Sequence, residues 1–224
     1  KTLQEEIKMC EQIKTTGCAC SREHRCSVKK IVTGPRAIKD IPECLDILKA
    51  ERAFVVTDKN TLKAAGNAVL SVLDEAGRKY TSFTFVPDVI KPDEHAVGSL
   101  LMNFDENCDA VIGVGSGVIN DCCKILAAKT KKPYIIVASA PSMDGFASDT
   151  SSMEKDGLKV SLPSKCPDII IGDTYILKNA PARMLASGVG DMLAKYISIA
   201  EWRISALING EYYCEEIAQL IRSS

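Results

Sequence analysis

The fold of this 224-residue chain is decided by the stretch Asp109–Ser148, DAVIGVGSGVINDCCKILAAKTKKPYIIVASAPSMDGFAS. It begins with an apolar run that is short enough to be one buried parallel strand. Glycines follow at 113, 115 and 117, and apolar residues then recur at the spacing of one helix face. A second buried strand, Tyr134–Ala138, leads into the polar loop ASAPSMDG. This order of elements is typical of a doubly wound domain that holds a nucleotide phosphate at a helix N-terminus.

The glycine turn is a weak signal when it is taken alone. GVGSGVIND departs from the G-x-G-x-x-G dinucleotide fingerprint, because the third glycine would fall on Asn120. Its context nevertheless favours dinucleotide binding, since Gly115, Ser116 and Gly117 follow a predicted strand and open a predicted helix. The alternative is a tight strand-to-helix turn that binds no ligand.

The composition indicates an ordinary globular protein. Hydrophobic residues make up 46% of the chain, and the net charge of -1 leaves no basic footprint for a nucleic acid. No apolar run approaches the roughly 20 residues of a membrane span, and the charged N-terminus lacks the apolar core of a signal peptide. We therefore expect a cytoplasmic protein with reduced thiols, despite its ten cysteines, and no nucleic-acid or membrane partner.

Strands and helices alternate over residues 28–180, which predicts an α/β fold with a parallel, Rossmann-like sheet. Asp156-Gly157 lies between two short extended runs and predicts a hairpin. From Pro181 onwards the pattern is helical alone. We expect three parts: an N-terminal helix and cysteine-rich segment over 1–27, a dinucleotide-binding domain over 28–180, and the first helices of an all-α domain over 181–224.

The densest group of soft metal ligands lies at Cys18, Cys20, His24 and Cys26. Three thiols and one imidazole can supply a tetrahedral zinc set. The spacing is not that of a standard zinc finger or ribbon, so a surface loop with incidental thiols is the alternative.

Polar residues at predicted strand ends are candidate ligand-binding residues. Asp58 follows a buried strand, where a carboxylate either accepts a hydrogen bond from an adenosine ribose or caps a helix. One strand after the glycine turn, the polar loop offers the hydroxyls of Ser139, Ser142 and Ser148. The same loop carries Asp144, whose carboxylate can bind a polyol or simply form a turn with the next glycine.

The helical end of the chain carries a further candidate. Asp191 and Lys195 are four residues apart and project from the side opposite an apolar stripe. Asp191 can ligate a divalent metal that polarises an alcohol oxygen, if this side of the helix faces a cleft. The alternative is a solvent-exposed ion pair of little energetic value.

Several motifs taken together resemble one family. GVGSGVINDCCK, ASAPSMDGFAS, DGLKVS, PDIIIGD and SGVGDMLAKY are similar to motifs of the sn-glycerol-1-phosphate dehydrogenases, over the chain from about residue 31 to its end. That family belongs to a superfamily with iron-containing alcohol dehydrogenases, glycerol dehydrogenases and dehydroquinate synthase. The resemblance implies a dehydroquinate synthase-like fold, in which an all-α metal-binding domain follows the Rossmann-like domain. It also implies NAD(P)-dependent interconversion of glycerol 1-phosphate and dihydroxyacetone phosphate at a zinc or nickel ion, in glycerophospholipid precursor metabolism. We expect a homo-oligomer.

The resemblance also assigns the site residues. Asp58 meets the adenosine side of the cofactor, Asp144 binds substrate, and Asp191 is the first metal ligand and also touches substrate. The remaining cofactor contacts divide into a pyrophosphate group and a nicotinamide group. The pyrophosphate group is Gly115, Ser116, Gly117, Val118 and Ile119, and the nicotinamide group is Ser139, Ala140, Pro141, Ser142 and Ser148.

One departure from the family pattern limits these expectations. The family takes its other two metal ligands from histidines of the helical domain, whereas the histidines of this chain are His24 and His95. We therefore expect a C-terminally truncated fragment of a glycerol-1-phosphate dehydrogenase. The alternatives are a non-catalytic NAD(P)-binding module and a related dehydrogenase that acts on another phosphorylated polyol.

Overall fold

The core of the protein is one six-stranded parallel sheet. The computed structural model describes residues 18–24, 26–87 and 89–223, so the helix expected near the N-terminus lies outside the described residues. The strands of this sheet are β1 Lys30–Gly34, β2 Arg52–Asp58, β3 Lys79–Phe85, β4 Ala110–Gly115, β5 Tyr134–Ala138 and β8 Ile169–Asp173. They have the order β1-β8-β5-β4-β2-β3 in the sheet, and every pairing is parallel. The predicted parallel α/β fold is thereby confirmed.

Helices cover both faces of the sheet, because alternate residues of each central strand point to opposite sides. In β4, for example, Ile112 belongs to one apolar cluster and Val111 to the other. The helices are α1 Ile41–Ile47, α2 Lys59–Thr61, α3 Asn67–Glu75, α4 Glu94–Asn103, α5 Gly117–Thr130, α6 Thr174–Leu177, α7 Ala182–Asn209 and α8 Glu215–Arg222. A π turn, Leu62–Gly66, joins α2 to α3, and 3-10 turns lie at 37–40 and 145–147.

The predicted hairpin is confirmed as a separate antiparallel pair, β6 Thr150–Lys155 and β7 Leu158–Pro163. Its turn residues, Asp156 and Gly157, both have positive φ, at 52° and 77°. An Asp-Gly pair suits a two-residue turn of this kind, since glycine adopts positive φ without a steric cost and aspartate tolerates it.

A buried lysine fastens this hairpin to α5. The Lys124 side chain is 1% exposed, its Nζ lies 3.0 Å from Asp121 Oδ1, and it donates to the backbone carbonyl of Thr150. Burial raises the pKa of the Asp121 carboxyl despite this lysine. The lysine therefore compensates a carboxylate that the fold has largely removed from water.

We expect Lys124→Met to lower the free energy of unfolding by about 1.5 kcal/mol at pH 7, because a charged hydrogen-bonding partner of Asp121 and Thr150 is lost. A carboxyl whose folded-state pKa is raised stabilises the fold at low pH and loses that contribution as the pH rises through the folded-state pKa. Without the lysine, ionisation of Asp121 costs the folded state more. The difference in unfolding free energy between the wild type and the variant is therefore larger at pH 7 than at pH 4. Urea denaturation at both pH values measures it.

Lys129→Met is the matched control, because Lys129 is exposed on the same helix. It should change stability by less than about 0.5 kcal/mol. An equal effect of the two substitutions, or a deficit at position 124 that does not depend on pH, contradicts this account of the buried pair.

The long helix α7 leaves most of its apolar residues exposed. Of its 28 residues, only Ile199 is buried. The predicted apolar stripe is present, but Val189, Leu193 and Ile197 are all more than 60% exposed. None of the helices in the described ranges combines the length and apolar composition needed to cross a lipid bilayer. The described part of the chain therefore leaves this apolar face of α7 uncovered.

Candidate functional site

The glycine turn between β4 and α5 serves two different purposes. A Cβ added at Gly113 would lie 2.6 Å from the Tyr134 hydroxyl, and one at Gly115 would lie 2.5 Å from Cβ of Ile119. These two glycines therefore let the chain pack against itself. A Cβ at Gly117 would meet nothing within 4 Å. Of the three glycines, only Gly117 faces open space, where a ligand can approach the backbone.

The first turn of α5 presents backbone N–H groups at this opening. Ser116 is the N-cap, and its side chain makes no capping hydrogen bond. The first N–H groups of a helix have no intrahelical acceptor, and the helix dipole places positive potential there. Such a turn can bind a phosphate group.

A cleft of about 630 Å³ lies in front of this turn. The strand order reverses between β2 and β4, since β3 continues outward from β2 while β5 lies on the far side of β4. Ligands of open α/β sheets bind outside the carboxyl ends of the strands at such a reversal. The lining consists of Asp58, Asn60, Thr61, Lys63, Ala64, Ile90, Ser116, Val118, Ile119, Ser139, Ala140, Ile176, Asn179, Ala180, Pro181, Arg183 and Met184.

The cleft brings together part of the cofactor set expected from the sequence. Asp58, Ser116, Val118, Ile119, Ser139 and Ala140 line it. The amide of Ser139 donates to the carbonyl of Gly115 at 2.9 Å, which holds the glycine turn and the polar loop side by side. Gly115, Gly117, Pro141, Ser142 and Ser148 flank these residues in sequence without forming the lining.

The Ser148 side chain contacts Thr150 outside the lining of the cleft. Its hydroxyl lies 3.0 Å from the Thr150 hydroxyl and 3.1 Å from the Thr150 carbonyl and amide, at the start of the hairpin. These contacts stabilise the turn into β6. The structure therefore shows a local structural role for this side chain.

The Asp58 carboxylate caps a helix. Its Oδ1 accepts from the backbone amides of Asn60 at 2.7 Å and Thr61 at 2.8 Å, and the Thr61 hydroxyl accepts from the amide of Asp58. These contacts form a capping box at the start of α2. The capping alternative is thus realised, and the carboxylate at the same time borders the cleft.

The polar loop and α7 are clamped together by Asp144, Asp191 and Lys195. The amide of Asp144 donates to Oδ2 of Asp191 at 2.8 Å, and Lys195 Nζ lies 2.9 Å from Oδ2 of Asp144. The hydrogen bond from Asp144 lowers the pKa of the Asp191 carboxyl, and the positive charge of Lys195 adds to this effect. The side of α7 that carries Asp191 thus faces the loop.

Asp191 lacks a full set of metal ligands within the described residues. Over that part of the chain, the one group of three or more converging cysteine, histidine and carboxylate ligands is elsewhere, and it contains no aspartate. A catalytic zinc site takes about three protein ligands. The described residues therefore do not hold a catalytic metal at Asp191 by themselves.

The structure adds cleft residues that the sequence did not single out. Lys63 lies in the turn after the Asp58 cap, and Arg183 lies in the first turn of α7. Both bring a positively charged side chain to the lining of the cleft. Lys63 lies shortly after the carboxyl end of β2, which is the signal that could have found it, whereas α6 separates Arg183 from the end of β8.

The chain matches a family of known proteins. Residues 32–181 match the family described as iron-containing alcohol dehydrogenase. Two curated relatives are named glycerol-1-phosphate dehydrogenase (NAD(P)+). The relative from Halalkalibacterium halodurans is 31% identical over 211 residues, with 92% of this chain and 53% of the relative covered. The relative from Methanothermobacter thermautotrophicus is 34% identical over 196 residues, with 86% and 54% covered.

The solved structures support the fold. A glycerol dehydrogenase from Schizosaccharomyces pombe matches with a TM-score of 0.66 at 24% identity, over 76% of this chain and 43% of that one. A 1,3-propanediol oxidoreductase matches with a TM-score of 0.67 at 23% identity, over 76% and 50%. The chain thus spans about half the length of the curated relatives it matches.

Proposed function

Because the chain belongs to the iron-containing alcohol dehydrogenase family, we propose that it forms the dinucleotide-binding half of an NAD(P)-dependent glycerol-1-phosphate dehydrogenase. The observation that carries this proposal is the cleft at the reversal of strand order, with the open first turn of α5 on one wall. The curated relatives bear the name of that activity. In the proposed division of the chain, residues 28–180 bind the cofactor and residues 181–224 begin the helical domain.

The cofactor is proposed to lie along the carboxyl ends of the strands. Its pyrophosphate lies against the first turn of α5, where the backbone is open at Gly117. Its adenosine lies towards Asp58, and its nicotinamide towards Ser139 and Ala140. Lys63 and Arg183 offset the charge of the phosphates.

Substrate is proposed to bind beyond the nicotinamide, at the clamp between the polar loop and α7. Met184 lines the cleft, and Asp191 follows it by two turns on the same face of α7. A bound NAD(P) would supply the hydride acceptor: C2 of glycerol 1-phosphate would give up a hydride and its hydroxyl group a proton, and dihydroxyacetone phosphate would remain. A zinc or nickel ion would polarise the C2 oxygen, with Asp191 as one ligand and the others from outside the described residues.

The exposed apolar face of α7 fits this proposal. Helices of the domain implied by the resemblance would cover Val189, Leu193 and Ile197, which the described residues leave exposed. The relatives are about twice as long as the matched region, which provides sequence for such helices.

The experiment on the function uses Asp191→Asn in the polypeptide that carries this chain. The amide oxygen of asparagine can still accept the hydrogen bond from Asp144, whereas the charge that a metal needs is lost. We expect metal-dependent reduction of dihydroxyacetone phosphate to fall by at least about 100-fold, while the Kd for NADH changes by less than about twofold. Loss of both would make the residue structural, and unchanged turnover would refute its metal role.

The non-catalytic alternative is favoured by one observation, the incomplete metal set around Asp191 among the described residues. It requires saturable NADH binding with no turnover of dihydroxyacetone phosphate when zinc or nickel is added. Turnover of another phosphorylated polyol in place of glycerol 1-phosphate would instead identify a related dehydrogenase.

The choice between NAD and NADP provides a prediction at Asp58. A carboxylate beside the adenosine ribose repels the 2′-phosphate of NADP, and Ser in its place removes the charge but still caps α2. We expect Asp58→Ser to raise the NADPH-to-NADH affinity ratio by about fivefold, since a repulsion of about 1 kcal/mol is removed. Fluorescence titrations with both cofactors measure the ratio.

Comparison of Asp58→Ala with Asp58→Ser separates the effect of the helix cap from the effect of the charge. Asp58→Ala removes both, so it should shift the cofactor ratio as Ser does, and it should also lower the free energy of unfolding by about 1 kcal/mol. A ratio that stays unchanged in both variants would place the ribose away from this residue.

A further inference from the structure

A cluster of soft metal ligands lies outside the cleft, where the two ends of the described chain meet. Cys18, Cys20 and His24 come from the segment before β1, and Cys214 is the N-cap of α8. One ligand atom from each of the four residues lies within 4.8 Å of the other three. The sequence suggested Cys26 as the fourth member, but the structure brings in Cys214, which is 190 residues away from His24.

The ligand atoms are spaced as one small ion requires. The sulfur atoms of Cys18 and Cys214 are 3.4 Å apart, and Nε2 of His24 lies 3.2 Å from the sulfur of Cys20 and 3.4 Å from that of Cys214. In a tetrahedral site with Zn–S bonds of about 2.3 Å, two sulfur ligands lie about 3.8 Å apart. Modest movements of the side chains therefore complete the coordination.

The backbone around the cluster turns both thiols of the Cys-x-Cys pair towards the same point. The amide of Ser21 donates to the carbonyl of Cys18 at 2.9 Å, and Ser21 has a positive φ of 59°. This tight turn allows Cys18 and Cys20 to direct their sulfur atoms to one point although only one residue separates them. Cys18 and Cys214 are 7% and 1% exposed, so neither thiol is a surface feature.

The surroundings supply outer contacts of the kind that orient metal ligands. The Tyr212 hydroxyl donates to the sulfur of Cys20 at 3.2 Å, and the Arg22 guanidinium lies 3.7 Å from the centre of the Tyr212 ring. The Trp202 indole donates in turn to the Tyr212 carbonyl, which ties this group to α7. Second-shell hydrogen bonds of this type fix the geometry and the charge of first-shell ligands.

Six described cysteines lie outside the cluster, and five of them have clearly different environments. Cys44, Cys108, Cys122 and Cys123 lie within the two apolar clusters of the sheet domain. The Cys166 thiol donates to the carbonyl of Ala147. The grouping of three thiols around one imidazole is thus not a consequence of the high cysteine content.

We propose that Cys18, Cys20, His24 and Cys214 bind one structural Zn²⁺ ion that fastens the segment before β1 to the start of α8. Three thiolates and one imidazole form a recognised zinc set, and soft sulfur ligands select against magnesium and calcium. Four protein ligands leave no open coordination position, so the ion stabilises structure and performs no chemistry. Residues 18–24 have no strand or helix to hold them, which gives the ion a clear structural purpose.

Cobalt replacement provides the direct test on the untagged, reduced chain. We expect about one zinc ion per chain after dialysis against a weak chelator. Replacement by Co²⁺ should give intense visible bands of a tetrahedral site and a thiolate-to-cobalt charge-transfer band in the near ultraviolet. A metal held at Asp191 by oxygen and nitrogen ligands cannot give the charge-transfer band, so the two sites are distinguished.

Variants identify the ligands. Cys214→Ser should lower bound zinc at least about tenfold and abolish the charge-transfer band, and Tyr212→Phe should weaken zinc binding about tenfold. Cys26→Ser is the matched control, because it lies in the same segment outside the cluster, and it should keep full zinc content. Should Cys214→Ser fail to fold, the wild-type cobalt spectrum and the Tyr212→Phe affinity still decide the question.

Three results would overturn the proposal. The first is the absence of the charge-transfer band in the wild-type protein, and the second is a zinc content that depends on Cys26 and not on Cys214. The third is a Cys18–Cys214 disulfide under the same reducing conditions, seen as an intact mass lower by two hydrogens.

Discussion

Gly188→Ala is expected to lower the free energy of unfolding by about 3 kcal/mol, because the new methyl group has no room. A Cβ at this position would overlap the carbonyl oxygen of Pro141 and lie 3.1 Å from its carbonyl carbon. Both atoms belong to the backbone, so relief requires α7 or the polar loop to move. Either movement separates Asp144 from Asp191, whose hydrogen bond closes the clamp.

Gly190→Ala is the matched control two residues further along the same helix. A Cβ there meets nothing within 4 Å, and alanine favours a helix interior over glycine by up to about 1 kcal/mol. We therefore expect it to stabilise the protein. Trp202 is the only tryptophan of the chain and lies on α7, so urea denaturation followed by its fluorescence reports on this helix. Equal stability of the two variants would contradict the close approach at Gly188.

Gly117→Val is expected to weaken NADH binding about 30-fold while leaving the fold intact. A Cβ at this position meets nothing within 4 Å, so we expect little effect on the apoprotein, but the valine side chain would occupy the place proposed for the cofactor's pyrophosphate. Relieving such an overlap costs about 2 kcal/mol, which corresponds to a factor of about 30 in Kd. Calorimetric titration gives the affinity, and urea denaturation confirms the fold.

Gly115→Ala, two residues earlier, should affect the stability of the fold, which Gly117→Val leaves intact. Its Cβ would lie 2.5 Å from Cβ of Ile119, so the substitution should lower stability by about 2 kcal/mol through packing within the protein. If Gly117→Val bound NADH as tightly as the wild type, the pyrophosphate could not lie at this turn.

The sheet was predictable because its signals are local. Buried parallel strands are continuous apolar runs, and the run Tyr134–Ala138 appears as a strand with those bounds. The Asp-Gly turn of the hairpin and the cap at Asp58 are also local, because each needs only residues within three positions.

The roles of the individual glycines were not predictable, because they depend on residues from other elements. Gly113 is required by the Tyr134 hydroxyl, which reaches across from the next strand to bond Asn120. No pattern around Gly113 encodes that approach. The sequence could therefore indicate a glycine turn but could not say which glycine faces a ligand.

Contacts between segments that are distant in sequence could not be predicted either. Asp144 and Asp191 are 47 residues apart, and Cys18 and Cys214 are 196 apart. The sequence identified Asp144 and Asp191 as separate candidates, yet only the structure shows that they form one clamp. It placed three of the four soft ligands correctly in one group and missed Cys214, because only tertiary packing brings α8 to the segment before β1.

Hydrogen–deuterium exchange with and without NADH tests the central claim, that the cleft at the reversal of strand order binds a dinucleotide. We expect saturable binding to slow exchange in peptides covering residues 115–120 and 139–142, with no change in the hairpin β6–β7. Absence of saturable binding, or binding with no protection of residues 115–120, would contradict this account of the site.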